Sequence, residues 1–149
     1  PFRIIKFRSM ITGADRKGLA ITPHGDPRIT PLGKFLRKTK LDELPQLINV
    51  LLGQMSFVGP RPETPQYVEL YDDHQRQVLN VRPGITDPAT VEFRNEEEVL
   101  SQYDDTHRAY IDIIMPKKLK INLEYLQRAT IASDIGIILK TIKAIVKSR

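Results

Sequence analysis

Leu41-Asp42-Glu43-Leu44-Pro45-Gln46-Leu47-Ile48-Asn49-Val50-Leu51-Leu52-Gly53 opens on two adjacent carboxylates, runs apolar and closes on glycine. This pattern predicts a helix over about 43–52. Asp42 stands where an N-cap oxygen would accept a free backbone N–H. Pro45 falls in the first turn, where its missing N–H removes a donor that would otherwise lack a partner. Gly53 stands at the C′ position, where a left-handed residue ends a helix. Six residues on, Gly59-Pro60-Arg61-Pro62 must form a stiff extended turn, because a residue before proline is driven out of the helical region.

Upstream, a short helix is expected from Leu32 to Lys38, preceded by a loop over 12–31 that holds Gly13, Gly18, Pro23, Gly25, Pro27 and Pro31. The opening Phe2-Arg3-Ile4-Ile5-Lys6-Phe7-Arg8 is β-branched and short and reads as a strand. Downstream, helical patterns recur at about 65–80, 95–103 and 106–115, then over Pro116–Arg128 and Ile131–Lys147, with Pro116 suited to a helix start. The sum is an α+β, mainly helical single domain over residues 1–149, its small β element near 3–10 and 88–94. In the last helix Ile131, Ile135, Ile138, Ile142 and Ile145 recur every three or four residues beside Lys140, Lys143 and Lys147. That face either packs on the core or rests as a basic amphipathic helix on anionic lipid.

At 149 residues the chain suits one core of moderate size. Forty per cent hydrophobic and 28% charged residues are globular proportions, which argues against a disordered tail. Without cysteine, disulfides and thiolate metal sites are excluded. No apolar run approaches the roughly 18–20 residues of a spanning helix; Leu47–Leu52, broken by Asn49, and Ile135–Leu139 are the longest. The chain starts at Pro1, directly in strand-like sequence, and is read as a trimmed piece that an N-terminal anchor could precede. Charge is segregated. Residues 1–40 carry a net +8, residues 41–115 a net −9 and residues 116–149 a net +6. Basic ends around an acidic middle suit an anionic ligand or a membrane surface.

Chemistry concentrates between Arg37 and Pro62. Asp42 and Glu43 at a helix N-terminus lie in partial positive charge, which favours their ionised forms. There they are either a capping pair or a reactive pair, one carboxylate attacking phosphorus and the other holding Mg²⁺. Arg61, on its proline-stiffened turn, offers a planar fork matched to phosphate oxygens.

Five blocks choose between these readings. They are Lys6-Phe7-Arg8-Ser9-Met10, Phe35-Leu36-Arg37-Lys38-Thr39, Leu41-Asp42-Glu43-Leu44-Pro45-Gln46, Met55-Ser56-Phe57-Val58-Gly59-Pro60-Arg61-Pro62 and Val81-Arg82-Pro83-Gly84-Ile85-Thr86. In this order they resemble the bacterial sugar transferases, the monotopic polyprenyl-phosphate phosphoglycosyl transferases that begin lipid-linked glycan assembly. The resemblance covers most of residues 1–95 and is loose beyond. It implies that Asp42 attacks the sugar-bearing β-phosphorus of a UDP-sugar, releasing UMP, and that a polyprenyl phosphate then takes the phosphosugar from the carboxylate. It implies Mg²⁺ on Glu43, with Lys6, Arg8, Arg37, Arg61 and Arg82 facing substrate phosphates. It also implies work at the cytoplasmic face of a bacterial inner membrane, with a re-entrant helix ahead of the first block, since Pro1-Phe2 matches the tail of the segment that follows it.

One departure stands out. After Gly84-Ile85-Thr86 the family commonly continues Gly-Trp-Ala-Gln, whereas this chain has Asp87-Pro88-Ala89-Thr90 and no tryptophan, with Arg94-Asn95 still matching. Asp87, Thr90 and Arg94 are therefore expected to tune which sugar donor is accepted, unless Asp87-Pro88 is simply a remote turn. No P-loop, dinucleotide fingerprint or zinc spacing occurs. His24, His74 and His107 are scattered and read as surface residues. Arg76, Arg94 and Arg108 lack aromatic interleaving, so nucleic acid is not an expected partner. The rival from another class is a non-catalytic basic module binding anionic lipid or nucleic acid. It accounts for the charge blocks but has no use for Asp42-Glu43.

Overall fold

A computed structural model describes residues 2–14 and 25–147; the middle of the expected 12–31 loop, with His24, lies outside the described residues. The chain is mainly helical with one two-stranded parallel sheet, an α+β domain as expected. In chain order it runs α1 (Pro31–Thr39), a 3₁₀ turn (Leu41–Glu43), α2 (Gln46–Leu51), β1 (Ser56–Val58), α3 (Pro65–Val68) and a second 3₁₀ turn (Gln75–Asn80). Then come β2 (Gly84–Thr86), α4 (Pro88–Glu92), α5 (Glu96–Leu100), α6 (Thr106–Ala109), a π turn (Tyr110–Ile114), α7 (Met115–Leu126) and α8 (Ile131–Lys147).

The core forms where α7 lies against the second 3₁₀ turn and α4. Tyr67, Tyr71, Val78, Leu100, Tyr110, Ile114, Leu119 and Leu123 are buried there. Residues 65–80, expected as one helix, are interrupted at 69–74. Asp72 Oδ1 accepts from the Gln75 N–H (2.7 Å) and Gln75 Oε1 accepts from the Asp72 N–H (3.1 Å), a local exchange that competes with helix continuation.

Two β expectations are corrected. Residues 2–8 form no strand, and Met10 makes an isolated antiparallel bridge to Ile29. Two backbone groups of residues 2–8 are met by a side chain instead: Asn49, fully buried, accepts from the Ile5 N–H (3.0 Å) and donates to the Arg3 carbonyl (2.9 Å). Residues 88–94 are not β either. Asp87 caps α4 by accepting from the Thr90 N–H at 2.5 Å, and Pro88 fills the first helical position.

The strands lie instead at 56–58 and 84–86, with Ser56 opposite Gly84 and Val58 opposite Thr86. The approach is close enough that a Cβ on Gly84 would sit 2.2 Å from the Gly59 nitrogen, so only glycine fits. Because the pairing is parallel, the turns leaving both strands, Gly59-Pro60-Arg61 and Asp87-Pro88, emerge side by side. α8 covers the sheet and α4, with the Thr86 and Thr141 hydroxyls 2.7 Å apart. Among the described residues no helix is long and apolar enough to cross a membrane.

Candidate active site

α1 sets the entrance. The Thr30 hydroxyl accepts from the Gly33 N–H (2.9 Å) at its start, and at its end Lys40 turns left-handed at φ 57°. That reversal leads the chain into the 3₁₀ turn Leu41–Glu43, so Asp42 sits inside a turn rather than serving as the expected N-cap of α2, which Pro45 precedes. The turn directs the Asp42 side chain inward, to 7% exposure, and the Glu43 side chain towards Arg61.

Lys6 reaches the same place because its neighbours are pinned. Ile5 is tied to Asn49, and the Phe7 N–H donates to the Asp42 carbonyl at 2.9 Å. Arg61 is pinned through its backbone, whose N–H donates to Asp87 Oδ2 at 2.8 Å. The outcome is a cluster around Glu43. Lys6 Nζ donates to Oε1 (3.3 Å), Arg61 Nη1 donates to Oε2 (3.1 Å), and Arg61 Nη2 pairs with Oε1. Burial pushes the Glu43 carboxyl up, but the hydrogen bonds and charge of Arg61, with the charges of Lys6 and Lys40, outweigh it and hold the group down to about 2. For Lys6, burial and the Arg61 charge lower the ammonium's proton affinity more than Glu43 raises it.

The two adjacent carboxylates are thus treated in opposite ways. Glu43 accepts from two cationic side chains, Lys6 and Arg61. Asp42 Oδ1 is buried and accepts no hydrogen bond among the described residues. The Gln46 side-chain nitrogen, one helical turn on and buried, is likewise without an acceptor. Glutamine so soon after the acidic pair was visible in the sequence, but its burial was not.

The remaining sequence-selected residues divide. Arg37 lines a cleft of about 820 Å³ that Arg61 also lines, although neither Asp42 nor Glu43 opens into it. Arg8 is exposed, with Thr12 as its hydrogen-bond partner (3.4 Å), and Arg82 is exposed, so the structure does not bring these two to the acidic pair. Asp87 is fully buried with both oxygens on backbone N–H groups. Both oxygens are spent on the protein itself, which differs from the donor-tuning role expected of Asp87. Thr90 Oγ1 is buried without a partner among the described residues, and Arg94 is half-buried just beyond α4. His107, expected at the surface, packs its ring 5.7 Å from that of Tyr67, while His74 is exposed as expected.

Sequence reasoning missed the far wall of the cleft. Tyr110 donates to Glu63, Lys118 pairs with Glu96 at 2.7 Å, and Lys118 also lies 5.4 Å from the centre of the Tyr110 ring. The two hydrogen-bonded pairs join segments 47 and 22 residues apart, and no local pattern announces them. The π turn from Tyr110 to Ile114 supplies the tyrosine, and such turns recur at functional sites.

Among the described residues no three carboxylate or histidine side chains gather to hold a metal. Mg²⁺ needs fewer, because it is commonly held by one or two carboxylates plus substrate phosphates. Glu43 Oε2, with one hydrogen bond accepted, and the unpartnered Asp42 Oδ1 fit that sparse donor set.

A family model described as bacterial sugar transferase matches residues 1–148. The chain is 38% identical over 155 residues to a galactosyl transferase, CpsE, of Streptococcus agalactiae, a match covering 97% of this chain and 31% of that protein. It is 37% identical over 150 residues to the UDP-glucose:undecaprenyl-phosphate glucose-1-phosphate transferase of Escherichia coli, covering 95% and 29%. The exopolysaccharide production protein ExoY of Sinorhizobium fredii is 33% identical over 163 residues, covering 99% of this chain and 65% of that protein. The chain therefore spans about a third of the first two relatives and just under two thirds of the third.

Proposed function

This chain belongs to the bacterial sugar transferase family, and we propose that it moves a sugar 1-phosphate from a UDP-sugar to a polyprenyl phosphate through a phosphosugar carried on Asp42. The observation that carries this reading is the unequal pair: an uncommitted, buried Asp42 oxygen beside a Glu43 locked among cations. A carboxylate oxygen held neither by donors nor by bulk water keeps its lone pair available for phosphorus. Relatives named for UDP-glucose and undecaprenyl phosphate support the donor and acceptor classes.

In the first step an Asp42 oxygen bonds to the β-phosphorus, the bond from that phosphorus to the bridging oxygen breaks, and UMP leaves with the bridging oxygen. In the second, a polyprenyl phosphate oxygen bonds to the same phosphorus and the Asp42 carboxylate departs, giving a polyprenyl diphosphosugar. One phosphoanhydride is exchanged for another, so no further energy source is required. Arg61 and Lys6 stabilise charge developing on the phosphate oxygens, because both already converge on one anionic group. Arg37, in the cleft shared with Arg61, binds donor phosphate, and Arg8 and Arg82 act as peripheral phosphate contacts. Mg²⁺, held by Glu43 and the substrate, would supply neutralisation of the diphosphate. The donor-tuning role of the segment after β2 passes to Thr90 and Arg94, while Asp87 positions Arg61.

The acceptor implies a membrane surface, and the exposed apolar residues support one. Leu44, Leu47, Ile48, Leu51 and Leu52 stand exposed on and beside α2, immediately after the acidic pair, with Leu51 at 86% exposure. On α8 the face grouped in the sequence splits. Ile138 and Ile145 turn partly inward, while Ile131, Ile135 and Ile142 join Leu139 and Val146 in an exposed stripe beside Lys140 and Lys143. Such faces favour the headgroup boundary, here the cytoplasmic leaflet where lipid-linked glycan synthesis begins.

The test is UMP release from a panel of UDP-sugars with polyprenyl phosphate and Mg²⁺. Asp42→Asn should lower turnover by at least about 10³-fold, as loss of a nucleophile does, and EDTA should abolish it reversibly. Wild-type release by Asp42→Asn overturns the nucleophile assignment. A full rate in EDTA overturns the metal.

A further inference from the structure

We infer that the cleft beginning at Arg61 is the seat of the donor's pyrimidine nucleoside, with Asn122 reading the base. This rests on the proposed use of a UDP-sugar and adds where its nucleoside goes, which none of the residues near Asp42 specifies.

The cleft holds about 820 Å³, within the range of small-molecule sites. Its charged wall is already internally paired: Glu96 with Lys118, Glu63 with Tyr110, and Arg61 with Glu43. Asn122, like the hydroxyl of Tyr67, is not so paired among the described residues. It lies on α7 at 5% exposure, lines the cleft, and its Oδ1 accepts no hydrogen bond among the described residues. A buried carbonyl oxygen left unsatisfied is destabilising, so its place in a cleft wall points to a donor arriving with a ligand.

The amide suits the pyrimidine of the proposed donor. Asparagine presents one acceptor beside donors, the complement of the N3–H and C4 carbonyl along the edge of uracil. The rings of Tyr67 and Tyr110 meet edge to face at 5.0 Å in the same cleft, offering the aromatic surface on which a base packs. Arg61 is shared between the cleft and the Glu43 cluster, so a nucleoside seated here directs its diphosphate towards Asp42.

The test measures UMP, uridine and ribose 5-phosphate binding to the full chain by calorimetry, for the wild type and for Asn122→Asp and Asn122→Ala. The inference expects saturable UMP binding, competition by uridine, and at least a tenfold loss of UMP affinity in both variants. The KM for UDP-sugar should rise by a similar factor while kcat stays within threefold. A second measurement is independent of variant folding. Photo-cross-linking of 5-iodouridine monophosphate to the unaltered chain should label Tyr67, Tyr110 or the segment 115–122. No saturable UMP binding, unchanged affinity in folded Asn122 variants, or labelling confined to other peptides overturns the nucleoside site. The transferase reading fails separately, by absence of UMP release from any UDP-sugar in a chain that still binds UMP.

Discussion

Arg61 is gripped by two carboxylates, and the two do different work. Asp87 takes its backbone N–H at 2.8 Å, is fully buried, and spends its other oxygen capping α4. Glu43 takes its guanidinium, keeps some exposure, and shares its charge with Lys6. The first contact fixes where Arg61 is. The second sets the charge that a phosphate would meet there, and a diphosphate entering the cluster competes with Glu43 for the same donors. A carboxylate's role here follows from what its oxygens touch, not from its place in a motif.

The largest expected separation comes from substituting each in turn. Glu43→Gln should cut UMP release by about 10²-fold or more, the scale of losing charge organisation at a phosphoryl centre. Its unfolding free energy in urea at neutral pH should fall less than that of Asp87→Ala. That second variant should lose about 2–4 kcal/mol, as a helix cap and a buried hydrogen bond go together, and activity should follow through misplacement of Arg61. Equal stability losses with equal activity losses would erase the distinction.

A smaller effect is expected in acid. The Glu43 carboxyl is held from its ordinary 4.5 down to about 2. A depressed value stabilises the fold above the unfolded group's titration, and that contribution is lost as pH falls from about 4.5 towards 2. Wild-type stability should therefore fall more steeply over that window than stability of Glu43→Gln, followed by denaturation at stepped pH. Parallel curves would mean that Arg61 and Lys6 do not hold the carboxylate as described.

The smallest effect is expected at Thr90, capped into α4 by Asp87 but with its hydroxyl buried and unpartnered among the described residues. Thr90→Val should shift the relative KM of two UDP-sugars by less than about tenfold, the scale of a single polar contact, and leave the Mg²⁺ requirement intact. A uniform change across donors would make the hydroxyl structural.

Legibility in the sequence tracked how local each feature is. α8 was readable to the residue, because its apolar period and the residues that bound it lie within one segment. Residues 41–53 were readable as a helical acidic stretch but not in their break, since the left-handed Lys40 and the inward turn of Asp42 depend on Phe7 and α1 packing behind them. The Asp87-Pro88 helix start was present as a cap followed by proline and lost to the β-like residues after it. The true strands are three residues each, too short for alternation to show. In the candidate site, Asp42, Glu43, Lys6 and Arg61 were nameable from motif blocks that the fold brings together. Asn122, Tyr110 and Lys118 were not, because their significance lies in burial and in pairings across the core.

The most direct measurement is intact-protein mass spectrometry after mixing the chain with UDP-sugar and Mg²⁺ and no acceptor, followed by peptide mapping. The account predicts one phosphosugar added per chain, carried on Asp42, formed with stoichiometric UMP, discharged by polyprenyl phosphate and absent in Asp42→Asn. An adduct on any other residue, or turnover of donor and acceptor by a chain that never carries the phosphosugar, would contradict it.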